Sequence, residues 1–386
     1  MRRLEIRGGK VVEGGLNLPK GFRLFCNAEA GILFSETFAT TVYLPAKNRL
    51  GGRSVKIAKN VGGKHTVRAV VLTNCGADVL QRGARDRAVA RVNYASDILG
   101  VPAFEVRPIF VGEVSVKADD GLALDCIKEC AKGLLSKEQR GLSALSVPTH
   151  TVAVQFYLGD DYLCTLAGSV FTDATCPATK RTILLTTDVA ISYECLHTCL
   201  ETELKDSFDL LEIPPAANDG VMFLASGLAG NNPIQARDVE YTKFAKALDF
   251  VLTELCGKML SKGNRESVLR LKVAGATSKR LAWDVVRNAY AYFLLSGSEE
   301  IPLIKGMISC IGGVDSPLKK NNMQVWVQSE RGRLLLVSDG RQLFIEDGSA
   351  TEILQGERAE VLVNFQNGNY GASGWIPKGS RKILNF

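Results

Sequence analysis

The run Thr66-Val67-Arg68-Ala69-Val70-Val71-Leu72-Thr73 ends in Asn74-Cys75-Gly76 and is followed by a stretch with a different period. Between Arg82 and Leu99 the apolar positions Ala88, Val92, Ala95 and Leu99 fall on one helical stripe. A strand buried on both faces must be covered by helices, so this pairing constrains the fold more than any single motif. The pattern recurs. Phe104–Val116 reads as strand and Leu122–Leu135 as helix; Thr151–Leu158 and Tyr162–Leu166, joined by Gly159-Asp160-Asp161, read as a hairpin. Thr182–Thr187 reads as a strand, Ser192–Leu204 and Asp238–Met259 as helices, Val268–Ala276 as a strand and Ser278–Leu295 as a buried helix. From Met323 onward four short strands are expected: Val325–Val327, Arg333–Val337, Gln342–Ile345 and Val361–Phe365. The expected class is therefore α/β or α+β, with mixed sheets covered by helices. At 386 residues there is room for two or three domains or lobes, and no internal repeat or low-complexity linker divides them.

The charge balance excludes some partners. The net charge of +6 comes from scattered Lys and Arg, and the densest cluster, Lys56 to Arg68, is diluted by Gly, Val and Asn. Without a basic stripe or interleaved aromatics, no nucleic-acid partner is expected. No apolar run reaches the ~18 residues of a bilayer span, so no membrane partner is expected. The start Met1-Arg2-Arg3-Leu4-Glu5-Ile6-Arg7 lacks the apolar core of a secretory signal, and the expectation is a cytoplasmic protein. Ten cysteines show no framework. Cys195-Leu196-His197-Thr198-Cys199 has helix-face spacing and lacks further ligands, so buried thiols rather than a metal site are expected.

Several short segments, in order, carry a resemblance. They are Leu18-Pro19-Lys20-Gly21-Phe22 with Ala30-Gly31-Ile32; Val70 to Asp78; Gly168-Ser169; Ala178-Thr179; and Thr186-Thr187-Asp188-Val189-Ala190-Ile191. Ser207-Phe208-Asp209, Asn218-Asp219, Leu224-Ala225-Ser226-Gly227 and Val273-Ala274-Gly275-Ala276 continue the series. Together they resemble the ornithine acetyltransferase (glutamate N-acetyltransferase) family of self-processing enzymes. The resemblance implies an αββα sandwich with a second, smaller α/β lobe. It implies cleavage between Ala178 and Thr179, giving an α-like segment 1–178 and a β-like segment 179–386 that begins with the nucleophile Thr179. By the same resemblance Gly112 offers a backbone N–H to the oxyanion, and Thr149 and Asn385 contact substrate. Small amino-acid substrates, no cofactor, and assembly as a dimer or α2β2 heterotetramer are likewise implied.

The chain also departs from the family. The Lys that precedes Gly-Ser falls on Ala167, and the Thr of the oxyanion Thr-Gly falls on Val111. Segments 146–149, 261–267 and 300–305 replace other polar motifs, and the chain stops at Phe386, just after Leu384-Asn385. Without the resemblance, Thr179 reads as an ordinary residue at a strand edge, where β-branched side chains are favoured. Thr175, which follows Ala174, and Thr182 are the other hydroxyls in the segment, though neither follows Pro-Ala. Three functions stay open: an amino-acid N-acyltransferase, a non-catalytic paralogue that binds or assembles, and an amidohydrolase in which water replaces the acceptor amine.

Overall fold

The computed structural model describes residues 4–46, 48, 50–59, 65–75, 79, 81–112, 119–159, 161–173, 180–205, 207–210, 216–260, 268–295, 303–319, 321–343, 349–356 and 359–377. The chain divides into two compact units, one of residues 3–204 with 213–255, the other of 1–2, 205–212 and 256–386.

The larger unit runs β1 (Lys10–Val12), β2 (Phe22–Cys26), β3 (Ala30–Pro45), α1 (Arg53–Lys59), β4 (Thr66–Thr73), α2 (Ala84–Leu99), β5 (Val106–Phe110), α3 (Asp120–Leu135), β6 (Thr149–Leu158), β7 (Tyr162–Phe171), β8 (Thr182–Thr187), α4 (Tyr193–Lys205), β9 (Gly220–Ala225) and most of α5 (Val239–Leu260). Its strands join in the order β1-β6-β7-β8-β9-β3-β4-β5, with β2 also on β3. Strand β3 is the hinge of this arrangement. Its first part pairs with β2 and β4, its register shifts between Phe34 and Ala39, and Thr40–Pro45 pairs with β9. The sheet thus turns back on itself, and its two arms face each other. Leu33, Val70, Leu72 and Ile109 of one arm share an apolar cluster with Phe171, Leu184, Met222 and Leu224 of the other.

Alternation decides which residues face outward. Ala30, Ile32, Phe34, Ala69 and Val71 point the other way and pack on Val92 and Ala95 of α2 and on Ile127, Cys130, Ala131 and Leu134 of α3. On the second arm Phe223 stacks on Phe244 of α5, ring centroids 6.0 Å apart. Gly168 leaves room there for Leu185 with Val251 and Leu255; a Cβ at that position would come within 2.6–2.9 Å of all three. Helix, sheet, sheet, helix: the expected αββα sandwich is present.

Local chemistry explains the helix ends. Asp119 caps α3 by accepting the Leu122 N–H at 3.1 Å. At the end of α2, Gly100 takes φ 66 and returns its N–H to the Ser96 carbonyl.

The smaller unit holds a second sheet, ordered β13-β12-β11-β14-β10-β15. Its strands are β10 (Val268–Ala276), β11 (Gln324–Ser329), β12 (Gly332–Ser338), β13 (Arg341–Gln342), β14 (Glu360–Asn364) and β15 (Tyr370–Pro377), accompanied by α6 (Lys279–Leu295), α7 (Leu303–Gly312) and α8 (Ser349–Leu354). Leu281, Val285, Val286 and Ala289 of α6 bury one face against Leu269, Leu271, Val325, Val361 and Val363.

Most expected elements fall within a few residues of those found. Phe104–Val116 is shorter as a strand: Ala103–Glu105 forms a 3-10 turn, β5 covers Val106–Phe110, and 113–118 lie outside the described residues. The strand expected at Gln342–Ile345 is the two-residue β13, with 344–345 outside the described residues. Strands β1, β2, β3, β9 and β15 carry no expectation of their own.

The covering of the second arm rests on Phe223, fully buried. Phe223→Ala should lower the unfolding free energy by about 3–5 kcal/mol, the range for a deleted core aromatic, measurable as a lower denaturant midpoint at unchanged slope.

Candidate functional site

The ends of β4 and β5, the start of β8 and the residues ahead of β9 form one connected polar cluster within the larger unit. Strands β4 and β5 are parallel, with Thr73 opposite Phe110, and the Val111 N–H extends the ladder to the Thr73 carbonyl at 2.9 Å. Arg91 of α2 holds this end in place. Its Nη1 donates to Thr73 Oγ1 at 3.2 Å and its Nη2 to Asp120 Oδ1 at 3.0 Å, and its guanidinium lies 4.6 Å from the Phe110 ring centroid. A buried charge is tolerated only with such partners.

Beyond Phe110 the backbone carbonyls become the feature. The buried Lys180 donates from Nζ to the Val111 carbonyl. Asn218 Nδ2 donates to the carbonyls of Phe110 at 2.8 Å and Gly112 at 3.2 Å. Its Oδ1 is buried and accepts no hydrogen bond among the described residues. Two side chains from distant parts of the sequence therefore fasten the Val111-Gly112 loop. An orphaned acceptor inside such a fastening costs about 1–3 kcal/mol unless a ligand or water meets it.

Asp219 secures the adjoining strand starts. Its Oδ1 accepts from the Arg181 N–H at 2.9 Å and Thr182 Oγ1 at 3.3 Å, and its Oδ2 from the Ala216 N–H at 2.8 Å. Burial raises its pKa above the ordinary value of 3.8, and these hydrogen bonds offset part of that rise.

Thr149 stands in the same row. The registers run Thr149–Phe171, Phe171–Thr182 and Thr182–Gly220 across four strands, so Thr149 shares the edge at which β8 begins. Its Oγ1 donates to the Val147 carbonyl at 2.9 Å. Ala167 is buried opposite Ala153 and Thr186, and Val111 is buried in the apolar cluster between the arms. Both positions where the resemblance implies a polar side chain are thus filled by methyl groups packed in the sandwich. Ala178, Thr179 and Asn385 lie outside the described residues, as do Thr175 and Gly76.

A model of the ArgJ family matches residues 19–377. The chain belongs to the ArgJ family. It is 23% identical over 342 residues to a glutamate N-acetyltransferase of Methanococcus vannielii, covering 83% of this chain and 82% of that one. It is 26% identical over 200 residues to arginine biosynthesis bifunctional protein ArgJ 1 of Clostridium acetobutylicum, covering 50% of this chain and 48% of that one. Among solved structures, the Bacillus halodurans arginine biosynthesis bifunctional protein ArgJ aligns at 19% identity with a TM-score of 0.43, covering 50% of this chain and 92% of that one.

In this ArgJ chain several landmarks of the sequence hold the fold together. Asp188 accepts the Thr165 N–H at 2.7 Å and the Lys20 N–H at 3.2 Å, while Ser226 Oγ donates to the Lys20 carbonyl at 2.6 Å. These contacts tie the Pro-Lys-Gly-Phe segment to the far ends of β8 and β9. Cys195 and Cys199 are buried on α4, and among the described residues no cluster of potential metal ligands forms. Burial pushes the Cys26 and Cys164 thiols up to about 12, which suits packing rather than nucleophilic chemistry. No helix among the described residues is long and apolar enough to cross a membrane.

Sequence reasoning missed Lys180 and the fastening role of Asn218. Lys180 could have been noticed as a charge wedged between Thr179 and an apolar strand, where a cation needs an inward partner.

Asp219→Ala removes the acceptor for two backbone N–H groups and should destabilise the chain by about 1–3 kcal/mol in chemical unfolding. The pH dependence has a definite sign. With the folded pKa raised, the native state holds the Asp219 proton more tightly than the unfolded chain. Its titration therefore removes stability as pH rises above the ordinary value of 3.8. Asp219→Asn should flatten that decline in a series of unfolding curves between acidic and neutral pH.

Proposed function

We propose that this chain is an N-acyltransferase of amino acids, moving an acetyl group from an N-acetylated donor to the amine of an acceptor such as glutamate. One observation carries the reading: Lys180, covalently next to Thr179, is bonded to the carbonyl that adjoins Gly112, and Asn218 holds the same loop from the other side. The residue that follows Thr179 in the sequence is thereby tied to the loop whose N–H the resemblance assigns to the oxyanion. The relatives named as glutamate N-acetyltransferases support acetyl transfer with glutamate as acceptor.

The chemistry begins with the chain itself. The Thr179 hydroxyl attacks the Ala178 carbonyl, the peptide C–N bond breaks, and water hydrolyses the resulting ester, leaving Thr179 with a free α-amine. That amine, with an ordinary pKa of about 7.7–8.0, is a base within reach of its own hydroxyl. In turnover it takes the hydroxyl proton as Oγ attacks the donor's acetyl carbonyl. It then returns the proton to the departing amine as the C–N bond breaks. The acceptor amine attacks the acetyl-Thr179 ester, and Thr179 leaves as its hydroxyl. The Gly112 N–H meets the negative charge that develops on the carbonyl oxygen in each step. The orphaned Oδ1 of Asn218 is a matching acceptor for the α-ammonium or the substrate amine.

Cleavage at this point leaves β7 in one fragment and β8 in the other, and the two strands pair along Leu166–Phe171 and Thr182–Thr187. The fragments therefore stay together in one sheet, consistent with an αβ unit that can assemble further.

The apolar replacements at Ala167 and Val111 favour a second reading, a paralogue that retains the fold and binds without turnover. An intact mass spectrum of the purified protein, with a transfer assay from N-acetylornithine to glutamate, separates the two. The acyltransferase predicts two fragments of roughly half of 41.8 kDa each, divided before Thr179, and an uncut, inactive Thr179→Ala chain. A single uncut wild-type chain without transfer overturns it. Release of free acetate without acceptor would instead mark an amidohydrolase.

A further inference from the structure

Beyond Thr40 one edge of strand β3 changes partner: the Thr41 N–H donates to the His65 carbonyl at 2.7 Å. There β4 ends its pairing, and the described residues place no strand beside Thr41–Pro45 on that side. A cavity of about 310 Å³ opens at this edge, within the larger unit. Tyr43, Lys59, His65, Arg107, Tyr193 and His197 line it, and no carboxylate is among its lining residues. None of these belongs to the Lys180–Asn218 cluster, so a ligand bound here is independent of the acyltransferase reading.

Arg107 is the unusual member. It sits on β5, 5% exposed, and its Nη1 donates to the Phe104 carbonyl at 2.6 Å and more weakly to the Val106 carbonyl at 3.5 Å. Its Nε and Nη2 have no hydrogen bond and no ion pair among the described residues. The well-buried Arg91 shows what a purely structural cation needs. It has Asp120, Thr73 and the face of Phe110. Arg107 has no counter-charge among the described residues, and burial alone pushes its pKa down to about 10. A strand position buried throughout would ordinarily hold an aliphatic residue, and a bare guanidinium there is costly without an anion.

The rest of the wall suits an anion. Lys59 ends α1 beside the cavity. His65 stacks on Tyr193 with ring centroids 3.5 Å apart, and Tyr193 meets His197 at 5.7 Å. Glu201 lies 3.6 Å from His197 Nδ1 and stands outside the lining. The volume is at the small end of ligand cavities, enough for one compact molecule.

We propose that this cavity binds a small molecule through its carboxylate or phosphate oxyanion. The unoccupied edge of the Arg107 fork grips it, with Lys59 adding a second charge and the two imidazoles lining the wall. A planar guanidinium edge matches either group by two parallel N–H donors.

Calorimetric titration of the purified chain with inorganic phosphate and, separately, with succinate tests this and distinguishes the two sources. Saturable binding of one ligand per chain is expected, absent in Arg107→Gln. The exposed Lys59→Ala tests the same contact without touching the core and should weaken binding about tenfold. Lys56→Ala, on the same helix but outside the lining, should leave it unchanged. Of the chain's three histidines, the imidazole NMR signals of His65 and His197 should shift on saturation while those of His150 stay put. Failure of both anions to bind overturns the proposal. So does binding that survives Lys59→Ala undiminished with the His65 and His197 signals unmoved.

Discussion

The larger unit depends on a single sixteen-residue strand. β3 pairs with β4 in its first part and with β9 in its last, and the register shift between these parts turns one continuous ladder into two facing arms. Without that turn the apolar sides of β4 and β8 would face water instead of each other. With it, Leu33, Val70 and Leu72 meet Leu184, Met222 and Leu224, and each outer face is left for helices. The same turn separates the end of β3 from β4, where the Arg107 cavity opens.

The site follows from how the arms meet. β4 and β5 run parallel, as do β8 and β9, and the strand ends of both pairs supply the polar cluster. Backbone carbonyls at Phe110, Val111 and Gly112 point toward donors that come from the other arm, Lys180 and Asn218. Carbonyls at a strand end have no ladder partner and must be satisfied by side chains or water. Here that requirement also fixes the position of the chain immediately after Thr179. The two arginines show the same rule from the opposite side: Arg91 has Thr73, Asp120 and the Phe110 ring as partners, while Arg107 bonds only local backbone carbonyls among the described residues and lines a cavity.

Legibility varied with the kind of element. The helices α2, α3, α4, α5 and α6 were readable because each buries one stripe, so apolar residues recur at helical spacing. β4 and β8 were readable as short apolar runs between turns. β3 was not, because it is buried on both faces over Ala30–Ser35 and exposed at Glu36 and Phe38, and its Ser, Glu and Thr residues blur any period. β9, six residues and fully buried, looked like a motif rather than a strand. In the site, Gly112 and Thr149 were reached through the resemblance; Gly112 follows β5, and Thr149 begins β6, with five strands between the two in the sheet order. Lys180 and Arg107 escaped notice because a basic residue in or beside an apolar strand normally extends into solvent, and only the folded chain shows these two buried.

By itself, the sequence determined the secondary elements with a regular period, the α/β class and membership of the ArgJ family, since each depends on residues close in the chain or in a fixed order along it. Tertiary structure alone decided where β3 turns, which carbonyls Lys180 and Asn218 reach, and that Arg107 is buried without a counter-ion among the described residues. Those features join positions far apart in the chain, or depend on what a side chain fails to meet. No local pattern encodes either one, because desolvation and hydrogen-bond satisfaction are settled only when the arms close on each other.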